Sequence, residues 1–396
     1  MRVENVPRPA ERPLATEPAK VLHVINNLAI GGAEMMLYKL LSRTSREKFE
    51  PIVISLMSRG ALGAHIEGLG IPVYTLGMEP GAPTPAAIWR LIRLVRWLRP
   101  SLIQGWMSHG NLAAQLAGAF VPGAVPVLWN VRRTLYSLDH EKTRSKAVIK
   151  LGARLSGLPA KILYNSKIGA AQYRGFGYRA DKTLIVPNGF DTELFTPSME
   201  ARSDVRLELG VAENTVLIGL AGRYSPMKDH ANFLRAAALL LKSHPDVHLV
   251  LSGRGVAWDN RALGELVRSL GIVERVHLLG ERHDMARLTA ALDIASSSSA
   301  YDEGFPNVVG EAMSCGVPCV VTDVGDSAWV VGEAGRVVPP RNSEALCAAW
   351  RELVDMETAV RRELGMRARQ RVKEQFSIER IVQQYESVYK EQLYGV

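Results

Sequence analysis

The sequence predicts an α/β protein made of two doubly wound, Rossmann-like domains. The chain has 396 residues, which is long for a single core and fits two domains. Short apolar runs alternate with helical patterns, and this alternation is typical of parallel strands joined by crossover helices. The alternation falls into two series, and Asn188-Gly189 separates them.

The first series of apolar runs supplies six candidate strands. A helical pattern from Ala33 to Leu41 follows the first strand, and others fill most of the remaining gaps. The stretch Pro100–Val131 holds no charged residue, but prolines and polar side chains interrupt it. It therefore predicts a strand, a helix and a strand rather than a membrane span. The candidate strands are Val21–Ile25, Ile52–Leu56, Val73–Leu76, Leu102–Trp106, Val125–Trp129 and Ile162–Tyr164.

The second series supplies five candidate strands and ends in a charged helical tail, roughly Arg361–Leu393. Its clearest helical patterns are His230–Leu241 and Asp259–Leu270. The candidate strands are Val216–Ala221, Val247–Leu251, Val276–Leu278, Ile294–Ser296 and Val317–Val321. We therefore expect a disordered leader (1–19), a first domain (20–190), a second domain (191–375) and a C-terminal helix (376–396) that returns to the first domain.

Composition and charge exclude several classes of protein. With 47% hydrophobic residues and a mean hydropathy near zero, the chain is neither disordered nor a polytopic membrane protein. The leader is rich in proline and has no apolar segment, so it does not resemble a signal peptide. The cysteines Cys315, Cys319 and Cys347 form no disulfide framework or zinc motif, and we expect buried thiols in a reducing compartment.

Two glycine-containing loops follow predicted strands. Gly31-Gly32 precede a helix, where a ligand can approach the backbone and the helix N-terminus favours anions. Gly222-Arg223 with Lys228 offers a guanidinium fork and a mobile ammonium for phosphate oxygens. A tight turn and a pair of solvated cations are the alternatives for these two loops. No P-loop sequence is present, so ATP hydrolysis of that kind is not supported.

The most informative stretch runs from Glu303 to Met313. Pro306 suits the start of a helix, which leaves Glu303 on a loop and puts Glu311 about one turn inside the helix. Two such carboxylates can hold the hydroxyls of a sugar and a ribose, and the helix amides between them can hold a phosphate. The alternative is a loop acid and a solvated helix glutamate.

Taken together, these segments resemble glycosyltransferase family 4, the retaining enzymes of the GT-B fold, in which two Rossmann-like domains face each other across a cleft. The similar segments occur in order, and each lies at a predicted strand end. They are Gly31-Gly32-Ala33-Glu34 (the glycine loop), Ser108-His109-Gly110-Asn111 (the cleft histidine segment), 186–191 (the domain junction), Gly222-Arg223 with Lys228 (the diphosphate clamp), Glu303 to Glu311 (E-x7-E) and 322–326 (the loop after the next strand).

The resemblance implies a nucleotide-sugar donor, with UDP expected ahead of GDP, bound mainly by the second domain. Arg223 and Lys228 would neutralise the leaving diphosphate, helped by the helix amides after Pro306. Glu303 would contact the donor sugar and Glu311 the ribose. His109 would reach the sugar from the opposite wall, although a hydrogen-bonded core histidine is the alternative for that residue. Because the sequence has no D-x-D, we expect neither a metal nor a cofactor besides the donor.

The predicted site therefore has two overlapping groups of residues. The catalytic group is Glu303, His109, Arg223 and Lys228. The donor-binding group is Gly31, Gly32, Arg223, Lys228, Gly304, Phe305, Pro306, Asn307 and Glu311.

The positive charge indicates an anionic partner for the first domain. The chain carries +8, whereas residues 81–161 alone carry +10. Ile88–Arg99 spaces four arginines three residues apart among apolar residues and tryptophans, as in a helix that lies on an anionic bilayer. A helix packed on the sheet with solvated arginines is the alternative. Lys142–Arg154 adds five cations on another expected helix.

In the GT-B arrangement the basic half holds the acceptor. We therefore expect a retaining hexosyltransferase that acts on a lipid-linked or oligosaccharide acceptor in cell-surface polysaccharide biosynthesis. It would be cytoplasmic and peripheral on the inner face of the plasma membrane. A catalytically silent scaffold that binds a sugar nucleotide or the membrane is the alternative. Nucleic-acid binding rests only on a pI of about 9.4 and is not expected.

Overall fold

The computed structural model describes residues 17–79, 83–137 and 142–395. Residue contacts divide the chain into two compact units. The first unit consists of residues 1–131, 155–162 and 383–396, and the second of residues 132–154 and 163–382. Most of the predicted leader lies outside the described residues. The predicted domain limits at 190 and 375 stay a prediction.

In the described part of the chain, the first sheet has seven strands in the order β3-β2-β1-β4-β5-β6-β7, a Rossmann order with one added strand. The strands are β1 (Ala19–Ile25), β2 (Phe49–Ser55), β3 (Val73–Thr75), β4 (Leu102–Trp106), β5 (Val127–Val131), β6 (Lys161–Tyr164) and β7 (Thr183–Ile185). The helices between them are α1 (Gly32–Arg43), α2 (Gly60–Gly68), α3 (Pro85–Leu98), α4 (Met107–Gly118), α5 (Thr143–Leu155) and α6 (Lys167–Gly175).

The second sheet has six strands among the residues described, in the order β10-β9-β8-β11-β12-β13. The strands are β8 (Leu217–Ala221), β9 (His248–Ser252), β10 (Val276–Leu278), β11 (Ile294–Ser297), β12 (Cys319–Thr322) and β13 (Gly335–Val338). The helices that precede, join and follow them are α7 (Met199–Leu209), α8 (His230–Leu240), α9 (Arg261–Ser269), α10 (Met285–Ala290), α11 (Asn307–Ser314), α12 (Ser327–Val331), α13 (Ser343–Asp355), α14 (Thr358–Gln375) and α15 (Ile378–Tyr394).

Both sheets reverse their winding direction next to their first strand. β1 pairs in parallel with β4, from Val21 opposite Leu102 to Ile25 opposite Trp106. In the second sheet β8 pairs in parallel with β11. Ligands of doubly wound sheets bind beyond the carboxyl ends of such strands. A ligand site is therefore expected in the loops that follow β1, β4, β8 and β11.

The predicted elements are found with small shifts in their limits, except for two short strands. The short strands β7 and β13 were not predicted. The predicted charged tail forms two helices, because α14 ends before Phe376 and α15 begins at Ile378. The break arises from backbone hydrogen bonds with Phe190, whose N–H donates to Phe376 O at 2.8 Å and whose carbonyl accepts from Ile378 N at 2.9 Å.

The C-terminal part of α15 belongs to the first unit, as predicted for a helix that returns there. Asn130 Nδ2 donates to the Tyr385 hydroxyl at 2.7 Å, and the Tyr389 hydroxyl donates to Gln104. Both tyrosines are fully buried. The helix therefore covers β4 and β5 with apolar and hydrogen-bonded side chains.

Burial explains the chemistry of the cysteines. All three are free and buried, as predicted, and burial raises the pKa of the Cys315 thiol to about 12. Across the described residues, no helix combines the length and the apolar character needed to span a bilayer.

Candidate active site

Lys228 and Glu303 lie in contact in the second unit. Lys228 follows β8 and Glu303 follows β11, and these two strands are neighbours in the sheet. Lys228 Nζ donates to Glu303 Oε2 at 2.6 Å, and the Ser299 hydroxyl donates to the same oxygen at 2.7 Å. Their side chains are only 14% and 11% exposed, so the ion pair is largely screened from water. The structure thus brings together two charged residues of the predicted site.

The turn after β8 is suited to an anionic ligand. Arg223 is exposed and forms no ion pair with any described residue. Asp229 has a left-handed backbone (φ 46°), and its carboxylate accepts from Asn232 N at the start of α8. Within the described structure, Ser225 Oγ and Asn232 Nδ2 are buried without a hydrogen-bond partner. Free donors beside a helix N-terminus and two cations favour a phosphate.

The E-x7-E helix, α11, begins as predicted. Pro306 is its N-cap residue, and Glu311 lies half-buried inside the helix. Asn188 Nδ2 donates to Asn307 Oδ1 at 2.6 Å. The Phe305 side chain is buried and stacks on Phe190, with ring centroids 5.8 Å apart. Phe305 therefore fixes the start of α11 in the core, and its ring is turned away from solvent.

The loop after β12 supports the loop that carries Glu303. Gly325 has φ +64°, and a Cβ atom there would lie 2.0 Å from the Glu303 carbonyl oxygen. Asp326 N donates to Gly304 O at 2.9 Å. The Asp326 carboxylate accepts from Lys167 N at 2.7 Å and from Ile168 N at 3.2 Å, at the N-terminus of α6. Burial raises the pKa of this carboxyl above its usual range.

A segment after β5 also contacts the Glu303 loop. Thr134 Oγ1 donates to Asp302 Oδ1 at 2.9 Å, and Asp302 has a left-handed backbone with φ 55°. Arg132 donates to Asn188, which in turn reaches Asn307. Sequence reasoning missed Thr134, Arg132 and Asp302. The Thr134–Asp302 contact joins residues 168 positions apart, and no local pattern predicts such a pairing.

The remaining predicted site residues lie in the first unit. Gly31 is the N-cap of α1 after β1, and nothing lies within 4 Å of a Cβ added at Gly32. His109 is in the first turn of α4 after β4. It is exposed, so the alternative of a core histidine is excluded. Partial desolvation lowers its pKa, which favours the neutral imidazole at pH 7.

The backbone that carries His109 is tightly constrained. Met107 has φ 62°, which is strained for a bulky side chain. A Cβ at Gly110 would lie 2.5 Å from Val24 O, so α4 packs closely against β1. The Asn111 carboxamide oxygen accepts from Asn130 N at 3.0 Å. These contacts hold the first turn of α4 at the carboxyl ends of the strands.

The described residues contain no group of three or more His, Cys, Asp or Glu side chains arranged to hold a metal ion.

Two family models match the chain. Residues 30–194 match the Glycosyltransferase Family 4 model, and residues 215–356 match the model described as Glycosyl transferases group 1. The first match includes Gly31, Gly32 and His109. The second includes Lys228 and Glu303.

Curated relatives with similar sequences are bacterial glycosyltransferases. EpsF of Bacillus subtilis, described as a glycosyltransferase, is 26% identical over 313 residues, which are 77% of this chain and 79% of EpsF. D-inositol 3-phosphate glycosyltransferase of Geodermatophilus obscurus is 34% identical over 225 residues, 54% of this chain and 48% of that protein. UDP-Gal:alpha-D-GlcNAc-diphosphoundecaprenol alpha-1,3-galactosyltransferase of Escherichia coli is 27% identical, with 56% of each chain covered. The chain thus spans about half the length of the last two relatives.

Among solved structures, HepE of Anabaena in complex with UDP has a TM-score of 0.81 at 24% identity, with 94% of this chain and 100% of that chain covered. The same protein in complex with UDP-glucose has a TM-score of 0.77 and covers 94% of this chain and 99% of that chain. At this identity the likeness establishes the fold alone. The fold is GT-B, as predicted.

Proposed function

Because this chain belongs to the family 4 and group 1 glycosyltransferases and has the GT-B fold, we propose that it is a retaining hexosyltransferase that uses a nucleotide sugar, with UDP as the first candidate nucleotide. The observation that carries the proposal is the Lys228–Glu303 contact in front of α11. A cation, a carboxylate and a helix N-terminus thus lie at the ends of two neighbouring strands. A sugar diphosphate presents the groups that such a set of residues can bind.

Charge neutralisation is the step that these residues can perform. When the bond between the sugar and the diphosphate breaks, negative charge increases on the leaving group. Lys228 and Arg223 supply positive charge there, and the N-terminus of α11 adds its dipole. We propose that these groups neutralise the leaving diphosphate without a metal ion.

Hydrogen bonding to the sugar and the ribose is the second step. Glu303 would hold a hydroxyl of the donor sugar, and Glu311, one turn into α11, would hold the ribose. A neutral His109 would provide a hydrogen bond to the sugar. In this proposal Glu303 and Glu311 do not act as the flanking acid and nucleophile of a glycosidase.

We propose a lipid-linked or polysaccharide-precursor acceptor, in line with the diphosphoundecaprenol acceptor in the name of the E. coli relative. The surface of α3 supports this acceptor class. Its arginines at positions 90, 93 and 96 are exposed, and so are its C-cap residue Arg99 and the tryptophans Trp89 (59%) and Trp97 (68%). The Arg93 guanidinium lies 5.2 Å from the centre of the Trp89 ring. Arginines and interfacial tryptophans on one helix suit an anionic bilayer.

α5 is the second basic helix, and its surface also combines exposed cations with an exposed apolar side chain. On α5 the cations Arg144, Lys150 and Arg154 are exposed, and Leu151 is 44% exposed among them. Sequence composition predicted the cations, whereas the structure adds the exposed apolar side chain. We propose that α3 and α5 each bind an anionic membrane surface that carries the acceptor.

Thermal unfolding with a panel of UDP- and GDP-sugars tests the donor class. A ligand that binds only the folded state raises the melting temperature, and its stabilisation reaches about 2.7 kcal/mol at a concentration of 100 Kd. We expect one nucleotide class to stabilise the protein, with or without EDTA. Stabilisation that EDTA abolishes would overturn metal-free binding. If no nucleotide sugar stabilises the protein, the silent scaffold becomes the better explanation.

Two variants test the roles of the paired residues. Lys228→Ala should weaken nucleotide binding and transfer, because it removes the cation at the leaving group. Glu303→Gln keeps the size of the side chain and should retain nucleotide binding while losing transfer. Lys242→Ala, an exposed lysine on the same unit, is the matched control and should change neither. Transfer at the wild-type rate by Glu303→Gln would refute the role of Glu303.

A further inference from the structure

The segment Ser298–Ala300, directly after β11, contacts both loops of the Lys228–Glu303 pair. Ala300 N donates to Met227 O at 2.8 Å. The Ser298 hydroxyl lies 2.8 Å from Lys228 O and 3.2 Å from Asp229 O, so it holds the main chain of the turn after β8. Ser298 therefore fixes the turn that carries the lysine.

Ser299, the next residue, holds the Glu303 carboxylate. The Ser299 hydroxyl donates to Glu303 Oε2 at 2.7 Å. The carbonyl of Ser299 accepts from Thr322 Oγ1 at 2.7 Å, which ties Ser299 to the end of β12. Both serines are 1% exposed, so water does not compete for these hydrogen bonds.

Glu303 Oε2 thus receives two hydrogen bonds, one from Lys228 and one from Ser299. A bound diphosphate attracts Lys228 and weakens its hold on Glu303. Ser299 is neutral, so an anionic ligand does not draw it away in the same manner. Ser299 can therefore hold the Glu303 carboxylate in place while Lys228 binds the phosphate.

We propose that Ser298 and Ser299 are positioning residues, Ser298 for the turn that carries Lys228 and Ser299 for Glu303. Ser298 sets the lysine turn for the diphosphate, and Ser299 sets the Glu303 carboxylate for the sugar. The proposal rests on the donor site described above and goes beyond it, because neither serine belongs to the predicted site. No sequence pattern singled out these serines.

The proposal predicts opposite binding signatures for two neighbouring substitutions. Ser298→Ala should weaken UDP and UDP-glucose by the same factor, because both ligands carry the diphosphate. Ser299→Ala should leave UDP affinity within about twofold and weaken UDP-glucose about tenfold, since one hydrogen bond to a charged group is lost. Ser299→Thr retains the hydroxyl and should restore most of that loss.

Calorimetric titration of the full chain measures both affinities, and the melting temperature shows that each variant is folded. Ser314→Ala is the matched control, because Ser314 is fully buried and its hydroxyl bonds Gly310 O inside α11. A merely structural role predicts a lower melting temperature with an unchanged ratio of the two affinities. An unchanged ratio in Ser299→Ala would therefore overturn the proposal.

A second measurement separates failure of this inference from failure of the proposed function. If the wild type binds neither ligand and no GDP-sugar, the proposed function fails. Hydrogen exchange of the free protein then still tests the positioning roles. Ser299→Ala should speed exchange in residues 300–307, and Ser298→Ala should speed it in residues 222–229. Exchange equal to that of Ser314→Ala in both segments would refute the positioning roles.

Discussion

Asp326 shows how two opposing effects act on one buried side chain. Its carboxyl is 3% exposed, and this burial raises its pKa above the ordinary value of 3.8. Hydrogen bonds from Lys167 N and Ile168 N act in the opposite direction, because they favour the charged form. The net shift is upward, so desolvation outweighs the helix amides.

This shift predicts a pH dependence of stability. Because the folded pKa lies above the unfolded one, the folded state holds the proton more tightly. The contribution of Asp326 to stability is therefore greatest below the unfolded pKa of 3.8 and decreases as the pH rises through the folded pKa. Urea unfolding from about pH 4 to 7 measures the free energy of unfolding of the wild type and of Asp326→Asn. The wild-type value minus the Asp326→Asn value should decrease as the pH rises. A difference that increases with pH would mean that the amides dominate.

The site residues divide into those that local sequence predicts and those that it does not. Glu303 and Lys228 were predicted because each follows a strand, and the sheet order then places β8 beside β11. Thr134 and Ser299 also follow strands, β5 and β11, but neither has a charge that marks it as a candidate. The partner of Thr134 lies 168 positions away, whereas the partner of Ser299 is four residues along the chain. A threonine or serine hydroxyl forms hydrogen bonds in almost any setting. Only the three-dimensional contacts identify these residues.

At the scale of elements, the loop between β12 and α12 depends on a glycine. Gly325 combines a left-handed backbone with a close approach to the Glu303 carbonyl oxygen. Gly325→Ala should therefore cost roughly 1 kcal/mol for the backbone and also displace the loop that carries Glu303. Because small displacements of reacting groups slow catalysis strongly, we expect transfer to fall at least about tenfold.

Gly271→Ala is the matched control for this prediction. Gly271 has φ +70°, and nothing lies within 4 Å of an added Cβ. In urea unfolding Gly271→Ala should lose only the backbone contribution, whereas Gly325→Ala should lose more because its added Cβ also clashes with the Glu303 carbonyl oxygen. Only Gly325→Ala should lose transfer. Equal transfer rates would show that the Glu303 loop tolerates the displacement.

The C-terminal tail shows where a sequence pattern was informative and where it failed. The pattern predicted a charged helical tail and a C-terminal helix from residue 376, but it did not predict which groups the arginines of α14 bond. Arg361 donates to Leu353 O at 3.0 Å at the end of α13. Arg371 donates to Trp329 O and Val330 O in α12. These guanidinium groups bond carbonyls at the ends of other helices, and charge patterning alone suggests a solvated face.

Two of the four edge strands in the described sheets were not predicted. β7 and β13 contain three and four residues, and each lies at the edge of its sheet. β3 and β10 are also short edge strands, yet they were predicted, so edge position alone does not explain the omission. β7 has no buried residue, and Arg336 interrupts the apolar run of β13. The central strands were predicted because burial on both faces requires long apolar runs.

At the scale of the whole molecule, the sequence predicted an uneven distribution of positive charge. In the structure this charge lies on the surfaces of helices. The three arginines of α3 and its C-cap residue Arg99 all face solvent, while Ala87, Leu91, Val95 and Leu98 form the buried face. The exposed face also holds Trp89 and Trp97. Solvated arginines need no exposed tryptophans beside them, and an anionic bilayer provides a favourable environment for both.

This surface predicts salt-sensitive binding to anionic membranes. The full chain should sediment with vesicles that contain phosphatidylglycerol and stay in solution with vesicles of phosphatidylcholine alone. Each basic residue near the surface contributes about 1 kcal/mol, and this attraction falls with ionic strength. The double variant Trp89→Ser/Trp97→Ser should bind about tenfold more weakly, whereas Trp258→Ser, an exposed tryptophan of the second unit, should bind as wild type does. A wild-type chain that stays in the supernatant with anionic vesicles at moderate salt would remove the membrane from the proposed function and leave the donor chemistry untouched.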